Sequence, residues 1–190
     1  MPDAHLTERQ RKWFATIREG LERDTGKSME EWVAIALTCP ESGHRARLKW
    51  FKETHGLLQN RASQVLSEAF EARMPWGEPE NLIGTLWSDP ASRAIFDAIN
   101  ASADALPDVV RTARKGYTAW SKQVQFAAAR PVKGGKAMLG LAVPPDAHPR
   151  LAVRGSESWS ERLASRFTLD SPGAVDDDLK TLLEAAWQKA

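Results

Sequence analysis

The sequence predicts an α+β protein: an N-terminal four-helix domain, then an α+β domain with a mainly antiparallel sheet covered by helices. Three observations lead there. Up to residue 70, apolar side chains recur every three or four positions, the period of an amphipathic helix. From residue 109 to 170, short β-branched or aromatic segments alternate with Gly, Ser and Pro clusters, the punctuation of strands. Between the two, Met74-Pro75-Trp76-Gly77-Glu78-Pro79 interrupts the helical pattern with two prolines and a glycine. The expected division is a helical domain over 1–74, a linker over 75–84 and an α+β domain over 85–190.

Each element has a local reason. Thr7 and Gln10 open a first helix, in which Trp13, Ile17 and Leu21 form one stripe expected to be buried, and Gly26 ends it. Ser28 and Glu31 have capping-box spacing before a second helix with Met29, Trp32, Val33, Ala36 and Leu37 on one face. A third helix spans about Arg45 to Thr54, turns Leu48 and Phe51 inward, and stops at Gly56, which suits the left-handed position after a helix. The fourth carries Leu58, Ala62, Val65, Leu66, Ala69 and Phe70. In the second part, Asp89-Pro90 is a cap followed by proline in the first turn, with Ile95 and Ile99 continuing a helix to about Asp104. Strands follow at Val109–Arg114, Tyr117–Ser121, Val124–Val132 and Ala137–Val143, the last two joined through Gly134-Gly135. Further short strands fall at Leu151–Arg154 and Arg166–Asp170. Asp176, Asp177 and Asp178 favour the positive end of a closing helix with Leu179, Leu182, Leu183, Ala186 and Trp187 on one stripe.

Composition narrows the chemistry. The 190 residues carry 26 Lys plus Arg against 25 Asp plus Glu, a net charge of +1, which argues against a dedicated DNA-coating protein. Apolar residues at 42% and charged residues at 27% describe a globular chain, not a disordered or membrane-spanning one. A cytoplasmic location is expected, with no membrane partner. One cysteine, Cys39, excludes an internal disulfide and a thiolate cluster for zinc or iron–sulfur. His5, His44, His55 and His148 show no HExxH or i, i+4 relation, so no metal site and no cofactor are expected.

Two motifs imitate catalytic ones. Thr25-Gly26-Lys27-Ser28 resembles the end of a phosphate-binding loop, yet that loop needs a glycine five residues before Gly26, where Leu21 stands inside a helix. The helix stop followed by a capping box accounts for the same residues. Gly155-Ser156-Glu157-Ser158 lacks the second glycine of a nucleophile elbow. No catalytic residue is assigned.

Two stretches suggest binding. Residues 48–67 allow a helix-turn-helix in which Gln59, Asn60, Arg61 and Gln64 would face DNA bases. The stronger asymmetry is Val109–Pro145, 37 residues without an acid but with seven Lys or Arg and the interleaved aromatics Tyr117, Trp120 and Phe126. A groove lined by Tyr117, Trp120 and Phe126 and rimmed by Lys122, Arg130 and Lys133 would hold an anion by charge attraction and stacking. In unbroken strand alternation, Val124 and Phe126 share a face with Arg130.

Residues 5–73, through Thr25-Gly26-Lys27-Ser28, Glu30-Glu31-Trp32, Trp50-Phe51-Lys52, His55-Gly56 and Ala62, resemble domain of unknown function 4287. Residues 85–190, through Tyr117, Val124-Gln125-Phe126-Ala127, Pro131, Leu139-Gly140-Leu141 and Val175-Asp176, resemble domain of unknown function 5655, with a layout similar to YdhG-like α+β domains. The resemblance implies a bacterial two-domain protein and no catalytic residues. The expected function is a non-enzymatic binding module for an anionic small molecule or a protein partner. A DNA-binding regulator and an enzyme with an unrecognised site are the alternatives.

Overall fold

The computed structural model describes residues 6–70 and 79–190. They form two compact units, one within Gln10–Gly77 and the other within Glu78–Ala190 together with the residues up to Arg9, so that the first residues of the first helix belong to the second unit.

The first unit holds α1 (Glu8–Thr25), α2 (Met29–Leu37), α3 (His44–His55) and α4 (Gln59–Phe70). The Ser28 hydroxyl accepts from the Glu31 backbone N–H, and the Glu31 carboxylate accepts from the Ser28 N–H, so the capping box forms as its spacing predicts. At the end of α3, Gly56 takes φ 65°, and the N–H of Leu57 reaches back to the carbonyl of Phe51. The Gly56 N–H bonds the Lys52 carbonyl, the pattern of an αL cap, whose left-handed residue is strain-free only without a Cβ. Ala62, Val65, Leu66 and Ala69 of α4 pack with Leu21, Met29, Trp32, Ala36, Phe51 and Leu57. Three residues depart from the predicted stripes. Trp13 is 52% exposed, at the end of the α1 stripe farthest from Leu21, and Leu58 is 68% exposed because it precedes α4 instead of continuing its helical phase. Leu37, at the end of α2, is exposed as well.

The second unit begins with α5 (Pro79–Leu86), which occupies much of the stretch read from sequence as a linker over 75–84. Proline is at home in a first helical turn, and buried Ile83 anchors the helix. Residues 75–78 lie outside the described residues. Next come α6 (Pro90–Asp104), β1 (Val110–Ala113), β2 (Thr118–Ser121), β3 (Gln125–Val132), β4 (Lys136–Leu141), β5 (Ala152–Val153), β6 (Ser165–Leu169) and α7 (Asp177–Gln188). The six strands run in the order β1-β2-β3-β4-β6-β5, and every neighbouring pair is antiparallel. The fold is therefore α+β.

Helices α6 and α7 cover one face of this sheet. Ile95, Phe96 and Ile99 from α6 and Leu179, Leu182, Leu183 and Ala186 from α7 bury against Trp120, Ala127, Ala129, Leu139 and Leu141. Trp87 stacks on Phe96 at 4.8 Å and Phe96 on Trp120 at 6.1 Å between ring centroids. Each buried indole here finds an acceptor, Trp87 in the Thr118 hydroxyl and Trp120 in the Asn100 side chain. The helix ends are equally satisfied. Asp89 accepts from the Ser92 N–H, and Asp176 accepts from the Leu179 N–H.

Candidate functional site

The other face of the sheet is built differently. Strand register places Ala119, Ala128, Gly140 and Arg166 in one row across β2, β3, β4 and β6, with Arg130, Met138 and Thr168 in the next row on that face. Two alanines and a glycine side by side leave a shallow shelf. The segment 154–164 has no regular secondary structure, and it lays Trp159 and Leu163 onto that shelf, with Tyr117 and Met138 alongside. A Cβ on Gly140 would stand 2.8 Å from the Trp159 ring, so the indole sits where only glycine leaves room.

The strap is clasped at Glu157. Its side chain is 2% exposed, one carboxylate oxygen meets Arg166 at 2.6 Å, and the other accepts from the Gly155 N–H at 2.6 Å. Burial pushes the Glu157 carboxyl up, but Arg166 and the two backbone N–H donors, its own and that of Gly155, more than offset this and hold it below the ordinary glutamate value.

Arg130 has no such partner. It is half-buried, its guanidinium carbon lies 5.8 Å from the centroid of the Trp159 ring, and its Nη2 has only the Met138 sulfur at 3.9 Å. No carboxylate among the described residues pairs with it. Four buried side-chain polar atoms among the described residues lack a hydrogen-bond partner: Gln64 Oε1, Gln125 Nε2, Arg130 Nε and Trp159 Nε1. The last two belong to this one cluster. Trp32, Trp87, Trp120 and Trp187 all donate their indole N–H to an oxygen, which makes the unpaired indole of Trp159 stand out. Leaving a buried donor unmade costs about 1–3 kcal/mol.

The six residues expected to share a groove are divided. Trp120 and Phe126 are both fully buried beneath α6 and α7, so neither lines a groove. Strand alternation misplaced Phe126 for a physical reason. Trp120 pairs with Ala127 but Ser121 pairs with Gln125, so Phe126 is the extra residue of a β-bulge and turns to the helix side while Ala128 and Arg130 keep the other. Tyr117 and Arg130 do come together around Trp159, Tyr117 edge-on at 6.2 Å. Lys122 holds its ammonium 4.0 Å over the Trp187 ring, before β3, and Lys133 is exposed in the turn after β3. An eight-residue strand separates these two cations, about 27 Å of chain. Sequence reasoning missed Gly140, Glu157, Trp159 and Arg166. The one available signal was a glycine inside a strand, which often marks a close approach.

The residues expected to read DNA are also divided. Gln59 and Asn60 are exposed, Arg61 pairs with Asp24, and Gln64 is buried, donating to the Phe14 carbonyl at 3.2 Å. Gln64 therefore cannot present its amide to a base, and the four do not form one exposed face. Arg23 and then Arg61 hold the Asp24 carboxyl below its usual range. Among the described residues no group of three or more His, Cys, Asp or Glu is placed to hold a metal ion. No helix among them is long and apolar enough to cross a membrane.

The architecture is thus that of a helical domain joined to an antiparallel α+β domain. The model for Domain of unknown function (DUF5655) matches residues 83–190, more than half of the chain, and the chain belongs to that family. The model for Domain of unknown function (DUF4287) matches residues 12–70, within the helical part. No curated protein and no solved structure matches the chain.

Proposed function

We propose that this protein is a non-enzymatic binding module that receives an anionic group, on a small molecule or a protein partner, at the strap-covered face of its C-terminal sheet. The observation that supports it is Arg130: a half-buried guanidinium with a buried Nε, no carboxylate beside it, and 37 acid-free residues of sequence around it. Three other partly buried arginines of this unit carry their own counter-ions, whereas Arg154, at the start of the strap, also has no carboxylate partner among the described residues. Arg111 meets Glu80 at 2.7 Å, Arg150 meets Asp176 at 2.7 Å, and Arg166 meets Glu157. A cation left without one in a semi-apolar setting favours an anion supplied from outside. The single thiol, Cys39, suits a reducing compartment such as the bacterial cytoplasm, where we place the protein.

Calorimetric titration of the full chain with acetate, citrate and inorganic phosphate at two salt concentrations tests this reading. Saturable binding that weakens with salt and is lost in Arg130→Ala is the expected result. Heats indistinguishable from dilution for all three anions would refute it.

A further inference from the structure

We propose that the strap-covered face is a carboxylate socket, in which a singly charged, planar carboxylate binds between Arg130 and Trp159 when the strap lifts. This rests on the anion-binding reading above and names the ligand class. Three features of the site point to it.

Geometry is the first. The Nε–Nη edge of a guanidinium presents two parallel N–H groups that match the two oxygens of a carboxylate. In Arg130 that edge is met by no oxygen: Nε has no acceptor, and Nη2 has only a thioether sulfur at 3.9 Å, a weak acceptor. A third donor, Trp159 Nε1, is without an acceptor in the same cluster, and Trp159 is only 4% exposed.

Charge is the second. Arg166 is neutralised by Glu157, whereas Arg130, the cation that faces the Trp159 ring, has no carboxylate partner among the described residues. Around it stand Tyr117, Met138, Leu163 and Ala128. Moving an ion into such surroundings costs energy that rises with the square of its charge, so a monoanion matched one-to-one is favoured over a phosphate carrying nearly two charges.

Access is the third. Both donors are buried, and Trp159 itself belongs to a segment with no helix or strand between Arg154 and Ala164. The Glu157 clasp holds that segment two residues before Trp159. Rotation of Trp159 about the clasp would open the Arg130 edge and turn the indole N–H toward an incoming oxygen.

The test is ¹⁵N–¹H NMR of the full chain titrated separately with phenylacetate, a hexapeptide with a free C-terminal carboxylate, the same hexapeptide amidated, and inorganic phosphate. Trp159→Phe identifies the indole resonance. Saturable movement of the Trp159 indole N–H with phenylacetate or the acid peptide, with phosphate at least tenfold weaker, supports the socket. A response to phenylacetate alone marks a free small carboxylate as the source, and a response to the acid peptide but not its amide marks a chain terminus. Arg130→Lys keeps the charge but loses the two-donor edge, and a tenfold or greater loss of carboxylate binding is expected from it. If that variant fails to fold, the wild-type indole response decides. Carboxylate binding that leaves the Trp159 indole unmoved, or phosphate binding more tightly than carboxylate, overturns the socket and leaves the broader anion reading standing. No binding of any probe removes both.

Discussion

The two faces of the C-terminal sheet are covered by opposite means. On one, helices α6 and α7 press large side chains against Trp120, Leu139 and Leu141, and the buried indoles have their hydrogen bonds made. On the other, a strap without regular structure rests one indole on a shelf of Ala119, Ala128 and Gly140, with its own N–H and the Arg130 Nε unpaired. The first arrangement maximises buried apolar contact and stabilises the fold. The second leaves polar capacity unused and is held by Trp159, Leu163 and one carboxylate clasp, with no helix or strand in it, which is the organisation expected of a surface that opens.

Substitutions separate the two faces. The largest effect is expected on the helix side. Trp120→Ala removes a fully buried ring from the Trp87–Phe96–Trp120 stack and one of the two donors to the Asn100 side-chain carbonyl, the other being Arg111, so urea unfolding should show a loss of about 3–5 kcal/mol. A loss below about 1 kcal/mol would mean that the helix face is not the principal core.

Gly140→Ala should cost about 1–3 kcal/mol, because the rigid Trp159 ring, 2.8 Å from the new methyl, has to shift. The same variant should expose residues 155–163 to limited proteolysis while the α6 and α7 region stays protected. Equal protection of both faces would erase the distinction between core and strap.

Glu157→Gln weakens the clasp and should cost about 1–2 kcal/mol at neutral pH, less than a fully buried ion pair since Arg166 can reach water. The direction with pH follows from the lowered value of the Glu157 carboxyl. Its stabilisation is complete above the unfolded glutamate range, near about 4.3, and disappears as pH falls through the lower folded value. The difference between wild type and Glu157→Gln should therefore shrink on acidification below about pH 4. A difference that grows there would contradict the clasp.

The smallest effect is expected at Thr168, on the same face as Arg130 but exposed. Thr168→Ala should change stability by no more than about 0.5 kcal/mol in the same unfolding assay. A large loss would show that the packed area extends beyond the strap.

Local chemistry made most of the scaffold legible. The capping box at Ser28, the left-handed Gly56, the Asp89-Pro90 helix start, the Gly134-Gly135 hairpin and the Asp176 cap each act over a few residues, so their effect can be read from neighbours in the chain. Periodicity placed the six strands and the stripes of α4 and α7 for the same reason. It misplaced Trp13, Leu37 and Leu58, where an apolar pattern runs past the contacts that would bury it.

The candidate site was not legible in this way. Arg130 and the acid-free stretch were visible in the sequence, and of its expected companions Tyr117 does join it, but Trp120 and Phe126 lie on the opposite face beneath two helices, Phe126 through the bulge, and Lys122 and Lys133 lie at opposite ends of β3. The actual neighbours, Gly140, Glu157, Trp159 and Arg166, come from β4, β6 and an irregular segment that no spacing rule joins to β3. Caps, turns and element types follow from forces between residues close in the chain, so the order of residues specifies them. Which face a side chain takes, and which distant strap covers it, depends on strand register and on contacts between segments far apart in sequence, and those exist only once the chain has folded.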